Sequence, residues 1–431
     1  MHLLLAEEEQ DYCRWYTGNG SERALLCEAC AKDATARDTA LRLVCSDCLE
    51  RVTTLHEWEH VAGMPSFRER RSGLRFEQWD VALPDGAGGP LHAIVPVDNA
   101  PGSLWIALVG DGQLVRLDLD QGTVEPLVEI PSQPARPLMP AAPVTLQLSG
   151  DGRFVAAVNT YGRSGVVIDL ARRKPAMWLE RDNYHQDVCV FPVAFFTHNG
   201  RTLLVHATGW NRLDISDPTT GALLTGRGPT SYTLGEKEPK HYLDYFHCGL
   251  SVAPGQEWIV DNGWVWHPWG IVRSWSLSHW CEENVWESED GPSLRALIDR
   301  SDLWDAALCW VDATTLAVWG EGLHNSEMIP AVALFNVASG ECVRWFAGPD
   351  VAPHSVWPPS SGRRGWMAFD QWLFAISPQH GTGIWDIATG ERLHHDPDFA
   401  PTAYHPGARQ WLNLREEGTL RLGRLLGEAE V

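Results

Sequence analysis

Four cysteines stand in two pairs of identical spacing, Cys27-Glu28-Ala29-Cys30 and Cys45-Ser46-Asp47-Cys48. Two thiolates separated by two residues grip one side of a tetrahedral ion. Two such pairs close a cage suited to Zn²⁺, which asks only for four ligands, at about 2.3 Å for sulfur. A redox role would need a thioredoxin-like βαβ pattern around a pair, and neither pair has one. Cys13, His56 and His60 lie nearby. The segment from Leu49 to Val61 reads as a helix, which places the two imidazoles, four residues apart, on one face. A full set of protein ligands leaves no position for water, so the metal is expected to be structural. A domain below about 70 residues seldom folds on its hydrophobic core alone.

The order Cys13, Cys27, Cys30, Cys45, Cys48, His56, His60 resembles the B-box zinc finger over residues 10 to 62. That resemblance implies two zinc ions held by alternating ligand pairs, Cys27 and Cys30 with His56 and His60, and Cys13 with Cys45 and Cys48. Tyr16 stands where a further ligand would follow Cys13. The alternative is a single zinc held by Cys27, Cys30, Cys45 and Cys48. Both arrangements remain open at the level of sequence. B-box modules mediate protein contacts, which the resemblance extends to this segment.

Elsewhere, chemistry-bearing residues are scattered. His241, Asp244 and His247 are the ligand types of a non-haem iron or catalytic zinc site, but three-residue spacing aligns them only on a helix, and the surroundings read as a loop entering a strand. His394-His395-Asp396 reads as a solvated loop. There is no Gly-x-Ser-x-Gly elbow, no Walker loop and no dinucleotide fingerprint after a strand. In Asp261 to Gly270, strand alternation puts Trp264 and Trp266 on one side, packed between neighbouring sheets. Trp269 follows Pro268 in an expected loop and, with Tyr242, is the candidate contact for a partner.

The elements that must position these residues show themselves as a repeat. Apolar runs end in Asp or Asn and are followed by Gly and a new apolar run: Leu117-Asp118-Leu119 before Gly122, Leu213-Asp214-Ile215 before Gly221, Phe335-Asn336-Val337 before Gly340, Trp385-Asp386-Ile387 before Gly390. Earlier turns such as Asp151-Gly152 and Asn199-Gly200 alternate with them. Pairing the two turn types gives seven units, with third strands ending near Asp118, Asp169, Asp214, Ser276, Asn336, Asp386 and Arg424. The fold class is all-β, a seven-bladed β-propeller. Only the stretch from Ser293 to Ala307 suggests a helix. The pattern resembles the WD40 family over the last 350 or so residues, with Trp385-Asp386 as its literal dipeptide. The final unit shows three strands, so segment 74–83 is expected to supply the fourth and remove an exposed edge. The division is therefore a zinc module at 1–61, a linker at 62–73 and a propeller at 74–431.

Composition narrows the function. The chain has 431 residues, 22 of them Trp, and a net charge of −22, which argues against a nucleic-acid backbone or an anionic membrane as partner. Lys occurs only at 32, 174, 237 and 240, a bias that points to GC-rich coding sequence. No run suits a signal peptide or a membrane span, so a cytoplasmic protein is expected, and Cys189, Cys248, Cys281, Cys309 and Cys342 read as buried free thiols. The leading reading is a non-enzymatic scaffold that binds a protein or peptide. The rival is a propeller hydrolase using Asp182, His185, His241 and Asp244 at the channel mouth.

The isolated segment 1–61 should bind one zinc in the four-cysteine arrangement or two in the crossed one, and unfold with chelator. Metal analysis of that segment and of Cys27→Ser/Cys45→Ser reads the stoichiometry directly, and a metal-free segment that stays folded would remove the module.

Overall fold

The computed structural model describes residues 67–427 apart from 132–137, 139–141, 234, 267–268, 302, 322–328, 352–364 and 416–418, together with the short strands Ala36–Arg37 and Leu43–Val44. Those two strands pair antiparallel, Ala36 opposite Val44. The expected metal ligands Cys13, Cys27, Cys30, Cys45, Cys48, His56 and His60 lie outside the described residues.

Seven four-stranded sheets follow in chain order, and the fold is an all-β seven-bladed propeller. Blades 1 to 6 occupy 91–129, 144–180, 193–223, 246–301, 308–347 and 366–396. Blade 7 takes its first three strands from 403–426 and its fourth from Arg75–Ala82. No helix among the described residues is long and apolar enough to cross a membrane. The chain divides into two compact units, one of Met1–Glu69, Arg227–Phe369 and Asp386–Arg392, the other of Arg70–Gly226, Asp370–Trp385 and Leu393–Val431.

In the second unit the central strands are apolar on both faces because each face meets another sheet. Along Leu104–Val109, Trp105, Ala107 and Val109 pack with Leu412, Leu420 and Leu422 of blade 7. The alternate residues Ile106 and Leu108 pack with Leu146, Val155 and Val166 of blade 2. The other face of blade 2, Phe154, Ala156 and Val158, meets Val193, Phe195 and Leu204 of blade 3. Period-two alternation therefore distributes one strand between two cores, and the sequence reads as continuous rather than alternating hydrophobicity. In the first unit, Val260, Val272 and Ile298 of blade 4 meet Leu316, Val318, Ala333 and Phe335 of blade 5.

The residue ending each third strand explains the repeat. Asp118 Oδ1 accepts from the amides of Asp120 and Gln121, Asn336 Oδ1 from Ala338 and Ser339, and Asp386 Oδ1 from Ala388 and Thr389. The side chain folds the turn onto itself, and Gly122, Gly340 and Gly390 then take the left-handed φ that closes it. In blade 3 this residue is Asp217, accepting from Thr219, and not the expected Asp214. Asp214 lies three residues earlier, buried and bonded to Arg212, Thr225 and Thr208.

Two further expectations are corrected. The stretch from Ser293 to Ala307 is not helical: Arg295–Ser301 is the outer strand of blade 4, paired with Trp269–Ser276. Pairing with the open edge of that strand satisfies its backbone and buries Leu297 and Ile298, which outweighs its helix propensity. The helices come earlier, α1 at Leu277–Glu282 and α2 at Glu287–Asp290, α1 being capped by Ser276 Oγ accepting from His279 N. None of the five thiols at 189, 248, 281, 309 and 342 is in a disulfide, but only Cys189 and Cys248 are fully buried.

Blade 7 is completed by Arg75–Ala82, antiparallel to Thr419–Leu426 from Arg75 opposite Leu426 to Ala82 opposite Thr419. Asp80 takes both forks of Arg421 at 2.8 and 2.9 Å, Gln78 donates to Asp396, and Phe76 packs on Phe399 at 4.8 Å. Trp79 and Val81 enter the core shared with blade 1. A protein beginning at Ser72 should fold, whereas one beginning at Pro84 loses the strand, exposes the edge of Thr419–Leu426 and uncovers that core. Thermal melting and light scattering should show the shorter protein melting far earlier or aggregating. Equal melting would contradict this role for the strand.

Candidate functional site

In a meander, the chain leaves a blade at one end after strands two and four, and at the other end after strands one and three. Among the described residues, the exposed aromatic rings Tyr184, Tyr232 and Trp266 lie on connections that follow a second or a fourth strand. In blade 4, Trp266 follows the second strand, Trp258–Val265, and keeps 42% of its surface exposed. Beneath it Trp264, 2% exposed, is sandwiched between Phe246 at 4.0 Å and Trp304 at 4.8 Å, both ring pairs nearly parallel. Trp266 stands edge-on to Trp264 at 5.3 Å and to Phe246 at 5.8 Å. Stacked rings with few rotatable bonds make a rigid base, so the exposed ring offers contact area at small entropic cost.

A buried polar network holds this stack. Asn262 donates to Ala306 O at 2.8 Å and accepts from Arg300, whose other guanidinium nitrogen donates to Trp319 O at 2.9 Å. These bonds tie the second strand to the 303–307 connection that carries Trp304. Burial lowers the Arg300 guanidinium to about 10, and burial, reinforced by Asp261 and opposed by Arg300, pushes the Asp305 carboxyl up to about 7. Asp261 accepts from His247 Nδ1 and from the Cys248 amide, and Tyr245 donates to Ile271 O at 2.8 Å beneath the Arg273 guanidinium.

A second aromatic group belongs to the other unit. Arg181 is buried, and its guanidinium donates to the carbonyls of Gly162, Gln186 and Cys189, which fixes the connection from blade 2 to blade 3 around one side chain. On that connection Asp182 accepts from the amides of Tyr184 and Trp210 at 3.0 and 2.9 Å. Tyr184, 46% exposed, stands edge-on to Trp210 at 5.3 Å and to His185 at 4.6 Å. Trp210 sits on the turn after the second strand of blade 3, Arg201–Gly209.

The residues singled out from sequence fall as follows. Trp269 is not in a loop: it opens strand Trp269–Ser276 and is half-buried against Leu243, Tyr245, Val265 and Ile271. Trp266, expected beside Trp264 between sheets, is exposed instead, because the strand ends at Val265 and alternation stops there. Tyr242 is half-buried, edge-on to the exposed Tyr232 at 5.1 Å. His241 pairs with Asp290 at 2.9 Å and stacks on Trp286, whereas His247 pairs with Asp261, so different carboxylates hold the two imidazoles. Asp244 is half-buried and bears electrostatically on Arg273. Asp182 and His185 belong to one unit, His241 and Asp244 to the other. His394, His395 and Asp396 are not a loop but the outer strand of blade 6, Glu391–Asp396, where Asp396 receives Gln78 of the clasp. Among the described residues, no three His, Cys, Asp or Glu side chains are grouped to hold a metal.

The raised Asp305 carboxyl has a definite sign. Between its unfolded range near 4 and its folded value near 7, the native state holds the proton that the unfolded chain releases, so stability falls as pH rises through this window. Asp305→Asn should flatten that portion of the melting temperature against pH, and an unchanged profile would show that Asp305 is ionised throughout.

No protein-family model matches this sequence, and no curated protein matches it. Among solved structures it is similar to a chain of the mitotic checkpoint complex, 13% identical over 80% of this chain and 93% of that one, with a TM-score of 0.48. The WD40 repeats of RRP9 match at 11% identity over 84% and 100%, with a TM-score of 0.47. BamB from Moraxella catarrhalis matches at 13% over 78% and 83%, with a TM-score of 0.43. The seven-bladed β-propeller is carried by the chain's own seven four-stranded sheets, and WD40 repeats are among the structures it is similar to.

Proposed function

We propose that this protein is a non-enzymatic scaffold for protein–protein interaction, a propeller docking platform joined to a zinc-held module at residues 1–61. The observation that carries the docking role is Trp266, an exposed indole backed by the buried Phe246–Trp264–Trp304 stack. Aromatic anchors on rigid supports dominate interface energetics. The partner is a protein or peptide: a net charge of −22 disfavours nucleic-acid backbone and anionic membrane. Tyr242 lies beside the exposed Tyr232 and is a further contact on this reading, whereas half-buried Trp269 supports the surface from within.

The zinc module rests on the spacing of its four paired cysteines, with one or two ions according to whether His56, His60 and Cys13 also ligate. The antiparallel pairing of Ala36–Arg37 with Leu43–Val44 supports it, since it reverses the chain between the two cysteine pairs, as a cage built from both requires.

Affinity purification of the full chain and of Trp266→Ala from the native organism, with mass spectrometry, tests the docking role. A partner should be enriched with the parent protein. The variant should melt as the parent does and bind that partner about fivefold or more weakly, an anchor contribution of roughly 1 kcal/mol or more. Retention of every partner by the folded variant would remove Trp266 from the interface, and enrichment of no protein would remove the scaffold reading.

A further inference from the structure

Two arginines of this chain are held in the same way, each by an aromatic ring and a carboxylate on one short segment. Arg392 lies over the Phe67 ring, 4.5 Å from its centroid, and its Nε donates to Glu69 Oε1 at 3.0 Å, ring and acid being two residues apart. Arg227 lies over the Trp286 ring at 5.4 Å and pairs with Glu289, three residues beyond that ring. The guanidinium suits both halves of such a grip: it is planar, weakly hydrated, stacks on π-faces and pairs with carboxylates through a rigid fork.

The connection from blade 2 to blade 3 repeats the second spacing around one exposed ring and sets a further acid two residues away on the opposite side in sequence from that of the first. Tyr184 has Asp182 two residues before it and Asp187 three residues after it, and all three side chains are exposed to solvent. Asp182 is fixed by the amides of Tyr184 and Trp210, each of its oxygens keeping a further lone pair for an outside donor. The positive charge nearest in sequence, Arg181, is turned inward onto backbone carbonyls.

We propose that Tyr184, Asp182 and Asp187 form a surface grip for an arginine side chain of a peptide or protein partner, the guanidinium stacking on the tyrosine ring and pairing with the flanking carboxylates. The acidity of the whole chain attracts such a partner from a distance, while the ring supplies the preference for arginine over an equally charged lysine. This rests on the reading of the chain as an interaction scaffold and adds the chemistry of the side chain recognised.

The test is fluorescence polarisation of the full chain with three labelled peptides identical except at two positions, which carry arginine, lysine or citrulline. The arginine peptide should bind about threefold or more tightly than the lysine peptide, and both more tightly than the neutral citrulline one. Tyr184→Ala, which leaves the charge unchanged, should erase the preference for arginine over lysine, and Tyr184→Phe should keep it. Asp187→Asn should weaken the arginine peptide. Equal affinity for arginine and lysine, a preference that survives in a folded Tyr184→Ala protein, or no binding at all overturns the grip. A partner still captured through Trp266 in that event would leave the scaffold reading standing, whereas loss of both would end it.

Discussion

Burial of both faces of the inner strands is the constraint from which the rest follows. A strand such as Leu104–Val109 cannot be satisfied by one partner sheet: Trp105, Ala107 and Val109 need one core and Ile106 and Leu108 another. Blades 1 and 2 therefore each lie between two neighbours, and a stack that began at blade 1 would leave one of its apolar faces bare. Blade 7 covers that face. Blades 1 and 7 meet in the Trp105–Leu412 core and share buried polar bonds, His405 to Leu104 O at 2.9 Å and Ser103 to Gln410, so the contact is specific as well as apolar.

The terminal strand of blade 7 meets a second demand, that of hydrogen bonding. Burying faces does nothing for the outer edge of Thr419–Leu426, whose amides and carbonyls need a ladder, and Arg75–Ala82 supplies it over eight matched residues. The segment just before it is tied down as well, Ser72 Oγ donating to Leu393 O and Arg392 lying over Phe67.

Much of this architecture is written in local chemistry and is legible in the sequence. Asp118, Asn336 and Asp386 announce their turns because each side chain bonds the amides two and three residues on, a purely local act, and the glycines that follow need a left-handed φ. The reading failed where tertiary contacts decide. Asp214 has the same neighbours in sequence as a turn residue but is claimed by Arg212, Thr225 and Thr208 in the interior, and the turn passes to Asp217. The stretch Arg295–Ser301 has a helical composition and becomes a strand because an open edge awaits it. Trp266 and Trp269 exchange the roles that alternation assigns them, since alternation holds only while the strand lasts, and this one ends at Val265.

That last exchange also explains where binding chemistry can gather. Inside a strand flanked by two sheets every side chain is committed to a core, so Trp264 is stacked and silent. One residue beyond the strand, the same side-chain type is held by the same rings from below and open above. The connection carrying Tyr184 follows the same logic with different means: its inward side is organised by Arg181 on backbone carbonyls, which frees the outward side to vary. In both places the rigid part of the fold ends where the exposed ring begins. Changes at these outward positions therefore cost folding little, while changes one residue inward alter the blade itself.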